Sequence, residues 1–124
     1  MYKISGTYCA SLTPFNADFS INKKLLLKHC NNLLSQKIDG IAIFGTTGEA
    51  NSLSIKEKLD AINYLIENKI EPRKLLPGTG LNSIKDTVYF TKAVAKMNVR
   101  GVLVLPPSYY KNINSEGLIS YYTR

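Results

Sequence analysis

The chain has 124 residues, 44% of them hydrophobic and 20% charged. That is one domain over residues 1–124 with no room for a second, and it is neither disordered nor membrane-spanning in composition. The net charge is +7, from 16 Lys and Arg against 9 Asp and Glu. The basic residues are scattered from Lys3 to Arg124, the densest pairs being Lys23-Lys24 and Arg73-Lys74. With no basic stripe, aromatic RNA-binding strand or zinc-finger spacing, solvated helix faces account for the excess, and no nucleic-acid partner is expected.

No apolar run reaches the roughly 20 residues of a transmembrane helix. The opening Met1-Tyr2-Lys3-Ile4-Ser5-Gly6 lacks the basic-then-apolar order of a secretory leader, so no membrane partner and a cytoplasmic location are expected. Cys9, Cys30 and His29 fall short of the four ligands of a structural metal site. Two unrelated buried thiols in a reducing compartment are expected instead, with no metal or other cofactor.

Along the chain, Gly6 to Ser11 reads as a first strand ended by Thr13-Pro14. From Asn22 to Lys37, Leu26, Cys30, Leu33, Leu34 and, just beyond, Ile38 fall three and four apart, the apolar face of a helix, with His29 beside it as a packing residue. Gly40 to Phe44 is a continuous apolar run suited to a parallel strand buried on both faces. Ser54-Ile55-Lys56-Glu57 has the spacing of a capping box. The helix it opens carries Ile55, Leu59, Ile62 and Ile66 as its stripe to about Asn68. Leu75-Leu76 is a short third strand and Pro77 to Gly80 a turn. Ser83 caps a third helix, with Ile84, Val88, Thr91 and Ala95 as its inner face. Val102 to Leu105 is a fourth strand closed by Pro106-Pro107, and Glu116 opens a fourth helix.

Four alternations of strand and helix predict an α/β fold with a parallel sheet and right-handed crossovers. Four such strands leave two open edges, and Arg124 falls inside an amphipathic segment without a stop signal. A closed (β/α)8 barrel takes about 250 residues. The expected architecture is therefore the first four βα units of a TIM barrel, truncated, and such a half barrel is expected to aggregate or stay molten in isolation.

Parallel α/β folds place their chemistry at the carboxyl ends of the strands. Gly45-Thr46-Thr47-Gly48-Glu49 offers two hydroxyls and successive N–H groups between glycines. That suits a small anion nest for a carboxylate or single phosphoryl group, and equally a plain strand-to-helix turn. No P-loop motif is present. Gly78-Thr79-Gly80-Leu81-Asn82-Ser83 approaches the dinucleotide fingerprint. Ser83 stands where the third glycine belongs, however, and no acid lies between Asp86 and Glu116 to take a ribose, which argues against a nicotinamide cofactor. Tyr109-Tyr110 after strand four suits a proton relay, stacking or surface packing.

Taken together, Ser11-Leu12-Thr13-Pro14-Phe15, Gly45-Thr46-Thr47-Gly48-Glu49, Gly78-Thr79-Gly80 with Asn82, and Leu105-Pro106-Pro107-Ser108-Tyr109-Tyr110-Lys111 with Ser115-Glu116-Gly117-Leu118 resemble, in order, the dihydrodipicolinate synthase / N-acetylneuraminate lyase family. The resemblance implies a (β/α)8 lyase that joins or splits pyruvate and an aldehyde through a lysine Schiff base. It implies Thr47 as the holder of the keto acid's carboxylate, shaped by Gly45 and Gly48, and Glu49 as structural. Thr46 falls in a hydroxyl relay with Tyr110, which in the family reaches into a neighbouring subunit, so a homo-oligomer is implied for the full-length form. The family's Schiff-base lysine belongs to strand six and a further relay tyrosine to strand five, both beyond these residues. No lysine here has the required setting, and the chain alone is expected to be inactive. Three hypotheses follow: the amino-terminal half of a family lyase, a half barrel that assembles with another half, or a non-catalytic carboxylate-binding remnant. The third loop leans toward the dihydrodipicolinate synthase branch, without naming the aldehyde.

Overall fold

The structure, a computed structural model, describes residues 4–123; Met1, Tyr2, Lys3 and Arg124 lie outside them, and with them the leader reading at the start and the stop-signal reading at the end. Strand β1 (Tyr8–Ala10) pairs in parallel with β2 (Gly40–Ala42), in the register Tyr8 to Gly40, Cys9 to Ile41 and Ala10 to Ala42. The apolar run of Gly40 to Phe44 continues past β2. Single parallel bridges, Ile41 to Leu75 and Gly78 to Leu103, then add a third and a fourth segment in chain order. Backbone bonds stitch them: Gly78 N–H donates to Ile43 O at 2.8 Å and Leu103 N–H to Pro77 O at 2.9 Å. The strands are shorter than the apolar runs suggest: the third segment is held by isolated bridges at Leu75 and Gly78, and the fourth by the one at Leu103.

Helix α1 (Lys23–Ser35) starts where Asn22 accepts the Leu25 N–H, and it buries Leu26 and Cys30. Helix α2 (Ile55–Glu67) has the full capping box: Glu57 N–H donates to Ser54 Oγ, and Ser54 N–H donates to the Glu57 carboxylate at 2.9 Å. Helix α3 (Ile84–Ala95) is capped by Ser83, and α4 (Ser115–Tyr122) by Asn114. The core lies between the parallel segments and the first three helices, around Ile41, Phe44, Ile62, Leu65, Leu75 and Phe90.

Two helix faces differ from expectation. In α3 the buried residues are Thr87, Phe90 and Val94, while Ile84 and Ala95 are exposed. In α2 they are Lys58, Ala61, Ile62 and Leu65, with Ile55, Leu59 and Ile66 half-buried on the flank. Both helices are turned by about one residue, roughly 100°, from the stripe of branched aliphatics. Phe90 supplies the largest apolar surface of α3 and sets its inward direction. Thr87 can follow it inward because its hydroxyl binds backbone at Leu81 and Ser83. Only one of the two thiols is fully buried: Cys30 is inaccessible and its thiol is pushed up to about 12 by burial, whereas Cys9 is half-buried. Among the described residues no helix is long and apolar enough to cross a membrane.

Candidate active site

A cavity of about 480 Å3 opens at the carboxyl ends of the parallel segments. Its walls come from the residues after β2, from Gly78 and Gly80, and from Leu103 to Leu105. Two glycines decide its shape. A Cβ on Gly78 would strike the Phe44 carbonyl, and one on Gly80 would strike the Leu105 backbone. The segments approach this closely only because no side chain stands between them.

The second loop folds back on itself. Gly48 N–H and Ala50 N–H both donate to Gly45 O, at 3.1 and 3.2 Å, and Glu49 N–H donates to Thr46 O at 3.1 Å. Two non-glycine residues in the left-handed region bracket it, Phe44 at φ 55° and Glu49 at φ 53°, a strained arrangement that tertiary packing must sustain. From the first loop, buried Thr13 donates its hydroxyl to Gly48 O at 2.7 Å and holds the turn from behind. In this fold Thr46 and Thr47 are exposed on the cavity side. Among the described residues neither of their N–H groups takes a backbone partner. Two adjacent hydroxyl-bearing residues, with N–H groups that take no backbone partner among the described residues, thus stand on the cavity wall, the makings of an anion nest.

Gly45 lines the cavity with open space where a Cβ would stand, and Gly48 is buried against Ser11 O and Thr13. Among the described residues, Glu49 is the one charged residue of the lining. Tyr110 does not join this group. It is 71% exposed on the fourth loop, meets the ring of Tyr109 edge-on at 5.3 Å, and is not among the described residues that line the cavity with Thr46. Among the described residues no three of His, Cys, Asp and Glu gather to hold a metal.

Lys58 is a feature that sequence reasoning missed. Its side chain is fully buried, its Nζ has no hydrogen-bond partner among the described residues, and it stands 5.5 Å from the centre of the Phe90 ring. Burial pulls its ammonium below the usual lysine range, opposed by the nearby Glu57 charge. The amine belongs to the helix layer and does not line the cavity.

The model of the dihydrodipicolinate synthetase family matches residues 3–124. The chain belongs to that family. It is 38% identical over 120 residues to a 4-hydroxy-tetrahydrodipicolinate synthase of Clostridium acetobutylicum, covering 94% of this chain and 39% of that one. It is 36% identical to the enzyme of the same name from Endomicrobium trichonymphae, covering 95% and 40%. Among solved structures it resembles a dihydrodipicolinate synthase from Agrobacterium tumefaciens, at TM-score 0.90 and 29% identity over 94% of this chain and 40% of that one. It also resembles an N-acetylneuraminate lyase from Proteus mirabilis, at TM-score 0.83 and 26% identity over 97% and 41%. The chain thus spans about 40% of the length of the family relatives it matches.

Proposed function

We propose that these residues carry the keto-acid half-site of a Schiff-base lyase or synthase, one that joins pyruvate to an aldehyde or splits the product, of the 4-hydroxy-tetrahydrodipicolinate synthase kind. The observation that carries the reading is the loop after β2, where Thr46 and Thr47 line a cavity at the carboxyl ends of parallel segments and their N–H groups take no backbone partner among the described residues. In this reading Thr47 holds the keto acid's carboxylate with its hydroxyl and N–H. Thr46 passes a proton within a hydroxyl relay that Tyr110 of a second copy completes across an interface. Gly45 and Gly48 shape the nest, and a cytoplasmic place suits the chemistry.

Imine formation needs an amine enclosed by apolar walls and facing the substrate. Lys58 is desolvated but faces Phe90 in the helix layer. Lys74 precedes Leu75 at the opposite end of its segment, and Lys111 lies exposed on the fourth loop. The 124 residues by themselves therefore bind a keto acid without turning it over; in the complete (β/α)8 barrel a later strand supplies the lysine. Treating the protein from its native source with pyruvate and borohydride tests this by intact mass. An adduct on a species roughly twice as heavy, the size of a whole barrel, is expected, and an adduct on the 124-residue chain overturns it. Replacing Thr47→Val should weaken pyruvate binding, followed by calorimetry, about tenfold. Absence of any heat with the unaltered chain would sink the half-site.

One observation favours a second reading. Leu103 is 41% and Leu105 56% exposed on the fourth segment, an uncovered apolar wall that suits assembly with another half barrel.

A further inference from the structure

The fourth loop, residues 106–113, has no regular structure, and Tyr109 and Tyr110 stand well out of it. A tyrosine that must serve a relay needs one position, and solvent gives it none. The hydrogen bonds that tie this stretch to the rest of the described chain converge on one atom: Asn82 Oδ1 accepts the Ser108 N–H at 3.1 Å and the Tyr109 N–H at 3.4 Å. Both groups are donors, so the facing atom of the amide has to be its oxygen, and the rotamer is settled.

Asn82 is itself well anchored. Leu81 before it donates its N–H to Thr87 Oγ1 at 3.0 Å, and the Tyr121 hydroxyl reaches the same Thr87 oxygen at 3.2 Å. Ser83 after it caps α3. Gly80, pressed on the Leu105 backbone, brings the third loop within reach of the fourth.

We propose that Asn82 is a positioning residue: its amide oxygen pins the backbone just before Tyr110 and so fixes where that phenol is presented. The inference rests on the reading of Tyr110 as a relay group. The two N–H groups belong to exposed residues, so water can replace the lost acceptor, and removing it should loosen the loop without unfolding the chain.

Amide hydrogen exchange by NMR on the 124-residue chain tests this, comparing the parent with Asn82→Leu and Asn82→Asp. Asn82→Leu keeps the bulk and loses the acceptor; Asn82→Asp keeps an acceptor oxygen. The expected result is exchange about tenfold faster at Ser108 and Tyr109 in Asn82→Leu, parent-like exchange in Asn82→Asp, and unchanged protection through α3. Equal exchange at the two amides in all three chains overturns the proposal, as does a loss of protection in Asn82→Leu that extends through α3. A pyruvate titration of the same labelled parent keeps the half-site reading separate. If the Thr46 and Thr47 amides do not shift, that reading fails, whatever Asn82 does.

Discussion

Lys58 is the residue whose chemistry is furthest from its setting. A buried ammonium without an acceptor costs free energy, and a ring face at 5.5 Å returns only part of it. Because burial lowers the amine's pKa in the folded chain, the unfolded chain binds more protons between that lowered value and the ordinary 10.5. Folding stability through Lys58 therefore rises with pH across that window, and the penalty is fully present below it. Lys58→Met, of similar length and uncharged, should be more stable than the parent in urea at pH 7. The gap should narrow as the pH approaches 10.5. A gap of the same size at both pH values, or a variant less stable than the parent at pH 7, would show that the amine is satisfied in the fold.

At the scale of elements, the Ser54 and Glu57 capping box is the clearest case of local chemistry deciding local structure. Ser54→Ala should cost about 1 kcal/mol in denaturant unfolding. Hydrogen bonds from Ser54 hold the Glu57 carboxyl below its ordinary 4.5, so the contribution is present above that value and lost as the pH falls through the lowered one. An alanine variant with the parent's acid unfolding would contradict it. Such caps are legible in the sequence because they depend on residues three apart, and the starts of α2 and α3 fall where Ser54 and Ser83 predict, whereas the cap by Asn22 on α1 comes from the structure. The helix faces were less legible. Counting aliphatics puts Ile55, Leu59 and Ile66 of α2 inward, and likewise Ile84 and Ala95 of α3; in α3 Phe90 and the satisfied hydroxyl of Thr87 outweigh them, and in α2 Lys58, Ala61 and Leu65 take the inner face with Ile62. No periodicity rule places a lysine at the centre of a buried face. At the site, the Thr46-Thr47 loop was legible as a motif between two glycines. Its left-handed brackets at Phe44 and Glu49 were not, since neither residue type asks for that backbone.

For the whole molecule, the distribution of apolar surface matters more than its amount. Leu12, Leu103, Leu105, Tyr109 and Tyr110 are all exposed at or near the end of the molecule that holds the cavity, and the fourth segment is held to its neighbour by a single bridge. A chain with this surface should associate. Sedimentation velocity is expected to show a mass that rises with concentration, and a strict monomer up to high concentration would remove the assembly reading. The alternation of strands and helices was readable from apolar runs and turn residues. How little ladder each run forms was not, because pairing depends on partners distant in the chain.

Gly45 and Gly78, both on the cavity rim, also face different futures under random mutation. Gly45 has nothing within 4 Å of a Cβ, whereas a methyl at Gly78 would be driven into the Phe44 carbonyl. In a library selected only for soluble expression, position 45 should accept alanine and serine freely and position 78 almost nothing. Selected for keto-acid binding as well, position 45 should close too. Substitution that spares the fold is therefore open at position 45 in the second loop and closed at position 78 in the third.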